Sequence, residues 1–137
     1  MNLLFQWSIF VIMVMNNWWT IHGDKYQFRS DNKNHPVIKK LAAKAKWEYS
    51  LFYDVEDVEY TIIEANHYEA VVWGIRRSLE WEIIIEFVDS KNTKDKRIFT
   101  ICGNEYGRIK KIYRGQPKHN SNTLCSERTD LKPVKWS

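Results

Sequence analysis

Cysteine and histidine are scarce in this chain, and the few present are scattered. The two cysteines, Cys102 and Cys125, and the four histidines, His22, His35, His67 and His119, form no pair at zinc-ligand spacing. No metal and no other cofactor is therefore indicated. No Asn-X-Ser/Thr triplet occurs, so passage through a glycosylating compartment would leave no N-linked sugar. Lysine and arginine number 21 against 17 acidic residues, a mild formal charge of +4. They are dispersed among Asp and Glu and not gathered into one stripe, so a nucleic-acid partner is not expected. Internal repeats and low-complexity tracts are absent too, and 137 residues suit one domain.

Charge is missing from Met1 through Gly23. "MNLLFQWSIFVIMVM" is apolar from Leu3 to Met15 except at Gln6 and Ser8, and "NNWWTIHG" follows it. A short apolar run ending before a small residue, Gly23, has the layout of a secretory signal peptide, so 1–23 is read as a leader and 24–137 as the domain. The lack of an initial Lys or Arg and the extension by tryptophans also suit an uncleaved anchor or a buried N-terminal helix. Removing the leader leaves Asp24 to Ser137, still at +4 and long enough to bury a core. The expected location is extracellular, with no stable membrane insertion of the mature chain. In that setting two cysteines are most simply one disulfide, stabilising by about 3 kcal/mol in the chain-entropy model.

One helix stands out, at "NHPVIKKLAAKAKWEYSLF". Pro36 suits the first helical position, where its missing N–H has no partner to lose, and Asn34 or His35 caps ahead of it. Ile38, Leu41, Ala42, Ala45, Tyr49 and Phe52 recur every three or four residues, opposite Lys39, Lys40, Lys44, Lys46 and Glu48. Beyond Asp54 the period becomes two. Leu79, Trp81, Ile83, Ile85 and Phe87 alternate with Glu80, Glu82, Ile84, Glu86 and Val88, a strand with one face on a core and the other mostly on water. "VEYTIIEANHYEAVV" supplies its partner, "SKNTKDK" a polar loop, "RIFTIC" a strand, "GNEYG" a turn and "RIKKIYR" a further strand. The expected architecture is α+β: one α-helix packed across a four- to five-stranded antiparallel β-sheet. The C-terminal stretch from Gly115 onward is expected to be irregular, with "LKPVKWS" a loose tail unless Trp136 covers the sheet.

Within "EAVVWGIRRS" the apolar residues Val71, Val72 and Trp73 run straight into Gly74. Turn chemistry allows the hairpin to reverse there or at Asn66–His67. In the first case Val71, Val72 and Trp73 project into water, a patch that surfaces keep mainly where it binds something. In the second they are ordinary interior strand.

The order helix, strand, Val-X-Gly, strand, loop, strand, turn, strand resembles the cystatin family, inhibitors of papain-like cysteine proteases. Pro36, Ala42, Ala45, Glu48 and Tyr49 are similar to that family's helix; Ala65, Val72, Gly74, Leu79 and Glu82 are similar to its inhibitory hairpin and flanking strands. The resemblance implies a wedge of three segments that blocks the protease cleft without being cleaved. Its glycine-bearing N-terminal segment would be at Gly23. Its first hairpin would be Ala70, Val71, Val72, Trp73 and Gly74, with Ala70 where the family has Gln. Its second would lie near Gly115, Gln116 and Pro117, without the family's Pro-Trp pair. Cys102 and Cys125 resemble the disulfide bracketing that second hairpin in the secreted branch.

The leading expectation is thus a secreted, monomeric, reversible competitive inhibitor of a papain-like, cathepsin-type cysteine protease, and not an enzyme. The alternative is a secreted interaction protein of the same fold, engaging a receptor, another secreted protein or an anionic surface through its basic helix face. An enzyme on a helix and curved sheet would need an enclosed pocket, and His67 near Glu64 and Glu69 is the one candidate cluster.

Overall fold

The computed structural model describes residues 26–118 and 123–136; the leader reading, Gly23 included, lies outside them. The elements run β1 (Tyr26–Ser30), α1 (Pro36–Tyr53), β2 (Val58–Val72), β3 (Ile75–Asp89), β4 (Asn92–Gly103), β5 (Ile109–Arg114), a 3₁₀ turn (Cys125–Glu127) and β6 (Lys132–Val134). The strands form one sheet in the order β1-β2-β3-β4-β5-β6, with every neighbouring pair antiparallel.

Helix α1 starts where the sequence says it should. The His35 ring nitrogen accepts the Val37 N–H at 3.2 Å, and Pro36 opens the first turn. Asp54, in the left-handed region at φ 53°, ends it. Ile38, Leu41, Ala42, Ala45 and Tyr49 are buried against the sheet. Phe52, expected on that face, is exposed; Tyr53 is the ring beside Tyr49, Phe99 and Trp136 instead. Close approach of helix to sheet depends on Gly103, where a Cβ would collide with a Leu41 methyl and lie 2.8 Å from the Arg108 carbonyl.

The sheet has six strands, more than expected, because two segments of weak β pattern are recruited by pairing and a third lengthens β4. β1 adds beside β2, and β6 adds beside β5 through Lys132, Pro133 and Val134. Much of "SKNTKDK" belongs to β4, so that the connection shrinks to Ser90 and Lys91. Polar residues hide the alternation there, because both faces of this hairpin end are largely exposed. Trp136 is buried, not loose: it meets Tyr49, Phe87 and Phe99 edge-on.

The second face of β3 also departs from expectation. Glu80, Glu82 and Ile84 are buried, and residues 123–131 fold back over the two carboxylates. Cys125 is bonded to Cys102 with Cα atoms 5.7 Å apart, which anchors that segment. Its Arg128 reaches Glu82 through Nε at 3.1 Å and Nη2 at 2.9 Å. Asn66 donates to the other Glu82 oxygen at 2.9 Å. Tyr68 lies between, its hydroxyl 3.3 Å from both Arg128 and Glu82. Glu80 accepts the Ser126 N–H at 2.9 Å and the Ser126 hydroxyl. Burial, with Glu82 adding to it, pushes the Tyr68 hydroxyl well above its ordinary pKa. Burial opposes the Arg128 charge, but Glu82, Tyr68 and Asp130 together outweigh it and raise the guanidinium pKa.

Replacing Cys102 and Cys125 together by serine should cost about 3 kcal/mol in the chain-entropy model for a loop of this length. Denaturant unfolding with and without reductant measures it: reductant should lower the wild-type midpoint and leave the double variant unmoved.

Candidate functional site

The β2–β3 hairpin reverses at Trp73–Gly74. Val72 pairs with Ile75, and the two residues between them have φ of 54° and 76°. Positive φ at both positions is the type I′ geometry that matches strand twist in two-residue hairpins. Asn66 and His67 pair instead with Glu82 and Trp81 in mid-ladder. The competing turn position is therefore strand, and the buried Asn66 amide is used on Glu82.

Type I′ turns favour Asn or Gly at the first position, and a bulky residue there is an outlier costing about 1–2 kcal/mol. Here that residue is Trp73, 88% exposed. An aromatic held in a strained conformation and in water gains nothing for the fold, so the strain points to a use outside it. Val71 at 40% and Ile75 at 59% exposure flank it, and Arg76 and Arg77 follow, also exposed.

Two of the expected contact residues do not project. Ala70 and Val72 are buried, packed with Leu79 and Leu124. Both lie on the β2 face of Tyr68, which Leu124 of the C-terminal segment covers; on β3 a β-bulge, where the register jumps from Tyr68↔Glu80 to Glu69↔Ser78, leaves Leu79 unpaired. One extra residue reverses the alternation. Leu79, expected in the core with Trp81, thus joins Ala70 and Val72 under the C-terminal segment. The exposed tip is Val71, Trp73, Gly74 and Ile75.

The other expected segments divide between the two ends of the sheet. β1 starts beside the tip, with Tyr26 opposite Ala70. The turn between β4 and β5 lies at the same end, and carries Tyr106 at 77% exposure, its N–H bonded to Asn104 Oδ1. Gly115, Gln116 and Pro117 follow β5 at the opposite end, where the Gly115 N–H bonds the Ile98 carbonyl at 2.8 Å. They cannot share a surface with Trp73. In a meander alternate turns share an end, and that rule alone would have selected "GNEYG" over Gly115–Pro117. The two turns are not level, however: Gly103 pairs with Trp81, well down β3 from Ile75, so Trp73 stands roughly 20 Å further out.

A polar cluster braces the base of this hairpin. The His67 ring stacks on Trp81 at 3.9 Å, and its Nε2 lies 2.5 Å from Ser78 Oγ. Its Nδ1 is 3.3 Å from Glu69 and 3.7 Å from Asp31, so Asp31 takes the place expected for Glu64. Serine, histidine and carboxylate come in the order of a nucleophilic triad. Ser78, though, lies exposed on a paired strand, and the described cavities are lined by other residues. The hydrogen bond and the ring stacking tie β2 to β3 at the base of the hairpin. Among the described residues no group of three His, Cys, Asp or Glu side chains could hold a metal ion.

Burial lowers the His67 pKa, outweighing the opposite pull of Asp31 and Glu69. A histidine whose folded pKa lies below the unfolded value binds protons more readily when unfolded. Its contribution is complete above about pH 6.5 and declines as pH falls below that value. The fall in melting temperature between pH 7.5 and 5.5 should therefore shrink in His67→Gln, measured by circular dichroism; an equal fall in both proteins would count against a buried neutral imidazole.

Comparison with protein-family models, with curated proteins and with solved structures finds no match to this chain.

Proposed function

We propose that this chain is a secreted, reversible, competitive inhibitor of papain-like cysteine proteases, with the Val71–Ile75 tip as its occluding element. The observation that carries the reading is Trp73, exposed at a strained two-residue turn on the end of two 15-residue strands. The resemblance of the helix and of the Val-X-Gly hairpin to cystatins supplies the target class. The departures also count: Ala70 stands where that family has Gln, and it is buried.

The mechanism is steric. A protease cleaves a segment lying extended across its nucleophile. A type I′ reversal with Val72 paired to Ile75 cannot extend without breaking the hairpin, so the tip fills the cleft and is not a substrate. Fully burying Val71, Trp73 and Ile75 contributes on the order of 1.5–3 kcal/mol each. Lost translational and rotational freedom offsets much of that, which places the expected inhibition in the micromolar range.

Titration into papain and a cathepsin-type protease, with the chain recovered intact, tests the proposal. No inhibition at high micromolar concentration overturns it and leaves the interaction-protein reading. Because Tyr106 is set back from the tip, Tyr106→Ala should change the inhibition constant less than about threefold, a small fraction of what a central anchor gives.

A further inference from the structure

Helix α1 presents a second exposed surface, on the side turned away from the sheet. Trp47 is 63% and Leu51 66% exposed, one helical turn apart. At about 100° per residue they lie along the middle of the outward face. Lys40 continues that line two turns before Trp47, Lys44 falls on one flank of it, and Lys39 and Lys46 on the other, all exposed. The helix contains a single acidic residue, Glu48, and it is turned to Lys44 at 3.8 Å. Two adjoining features extend the pattern. Gly107 sits against Lys40, which brings the turn bearing exposed Tyr106 beside the helix, and a shallow groove bordered by Glu48 includes Lys110 and Lys135.

We propose that this face docks on an anionic lipid bilayer surface, with the helix lying parallel to it. An exposed tryptophan and leucine, one turn apart and bordered by lysines, is the reverse of what a solvated helix face needs. It is the arrangement of an interfacial helix: the indole and the isobutyl group enter the headgroup boundary, and the lysines reach outward to lipid phosphates on long apolar stems. Charge complementarity selects an anionic surface, because four lysines face outward against one neutralised acid. Each lysine near such a surface strengthens binding by about fivefold. Only two apolar side chains project from the centre of the face, so the association is peripheral and reversible. No helix among the described residues is long and apolar enough to cross a membrane. The face is separate from the β2–β3 tip, so the proposal stands or falls independently of protease inhibition.

Co-sedimentation of the full chain with vesicles of phosphatidylserine and phosphatidylcholine mixed one to two, against pure phosphatidylcholine, is the test. At least tenfold stronger binding to the anionic vesicles is expected, falling steeply as salt is raised from low to well above physiological concentration. Lys40→Glu/Lys44→Glu should reduce it at least tenfold, and Trp47→Ala/Leu51→Ala by a similar factor, with unchanged melting temperatures. Equal binding to neutral vesicles, no binding to either, or binding indifferent to the Trp47/Leu51 pair overturns the proposal. So does a dimer in solution that Trp47→Ala dissolves, which would assign the face to a second copy. Equally tight, Trp47-independent binding to heparin without vesicle binding would assign it to a soluble polyanion.

Discussion

Arg128→Met is expected to destabilise the protein by about 3–5 kcal/mol, the loss that follows when one partner of a buried ion pair is removed. The side chains of Arg128 and Glu82 are 1% and 0% exposed, and joined by two hydrogen bonds from the guanidinium to one carboxylate oxygen. Without the guanidinium, Glu82 retains Asn66 and Tyr68 as donors but no countercharge. Urea unfolding of the variant should show the midpoint displaced, with the slope little changed. A second substitution separates a lost interaction from lost packing. In Arg128→Met/Glu82→Gln the orphaned charge is gone and the amide still accepts from Tyr68, so about half the loss or more should return. A loss under about 1 kcal/mol in the single variant would mean that residues 123–131 are not a settled cover over the sheet.

Gly74→Glu is expected to abolish protease inhibition while leaving the fold in place. A Cβ at Gly74 meets nothing within 4 Å, so the substitution creates no clash. Its φ of 76° costs an L-residue about 1–2 kcal/mol, a melting shift of roughly 4–8 °C per kcal/mol at this domain size. The new carboxylate, however, would have to enter an apolar contact beside Trp73 without a partner, which costs far more in the complex than in the free protein. Inhibition that survives in a folded Gly74→Glu variant would place the contact elsewhere.

The helix was legible because its signals are local. Pro36 and His35 fix the start, and the spacing of Ile38, Leu41, Ala42, Ala45 and Tyr49 defines the buried face. β3 was legible as a strand for the same reason, through its period of two. What lay hidden depends on pairing between distant segments. The side on which Leu79 points is decided by a bulge that sets two residues of β3 against one of β2, which β3's own pattern does not show, and Ala70 and Val72 are buried by the Leu79 and Leu124 that meet them there. Glu80 and Glu82 looked solvated because their cover, Ser126 and Arg128, comes from far downstream. A carboxylate every second residue reads as a wet face until an arginine is found to answer it. For the candidate site, glycine chemistry alone left Gly74 and Asn66–His67 comparable, and ladder pairing of Asn66 and His67 decides between them. Gly115–Pro117 follows from the order of segments that the cystatin resemblance implies, whereas the sheet's alternation of ends puts Gly115 opposite the tip and brings Asn104–Gly107 to the tip's end.

The central claim is that Trp73, raised on the hairpin, is the anchor of a protease contact, and the most direct measurement is the inhibition constant against papain for the wild type and Trp73→Ala side by side. The account predicts competitive inhibition by the wild type that weakens at least about 30-fold in the variant, the size of a central aromatic anchor, with identical far-ultraviolet spectra. Equal constants for the two proteins, or no inhibition by either, would contradict it.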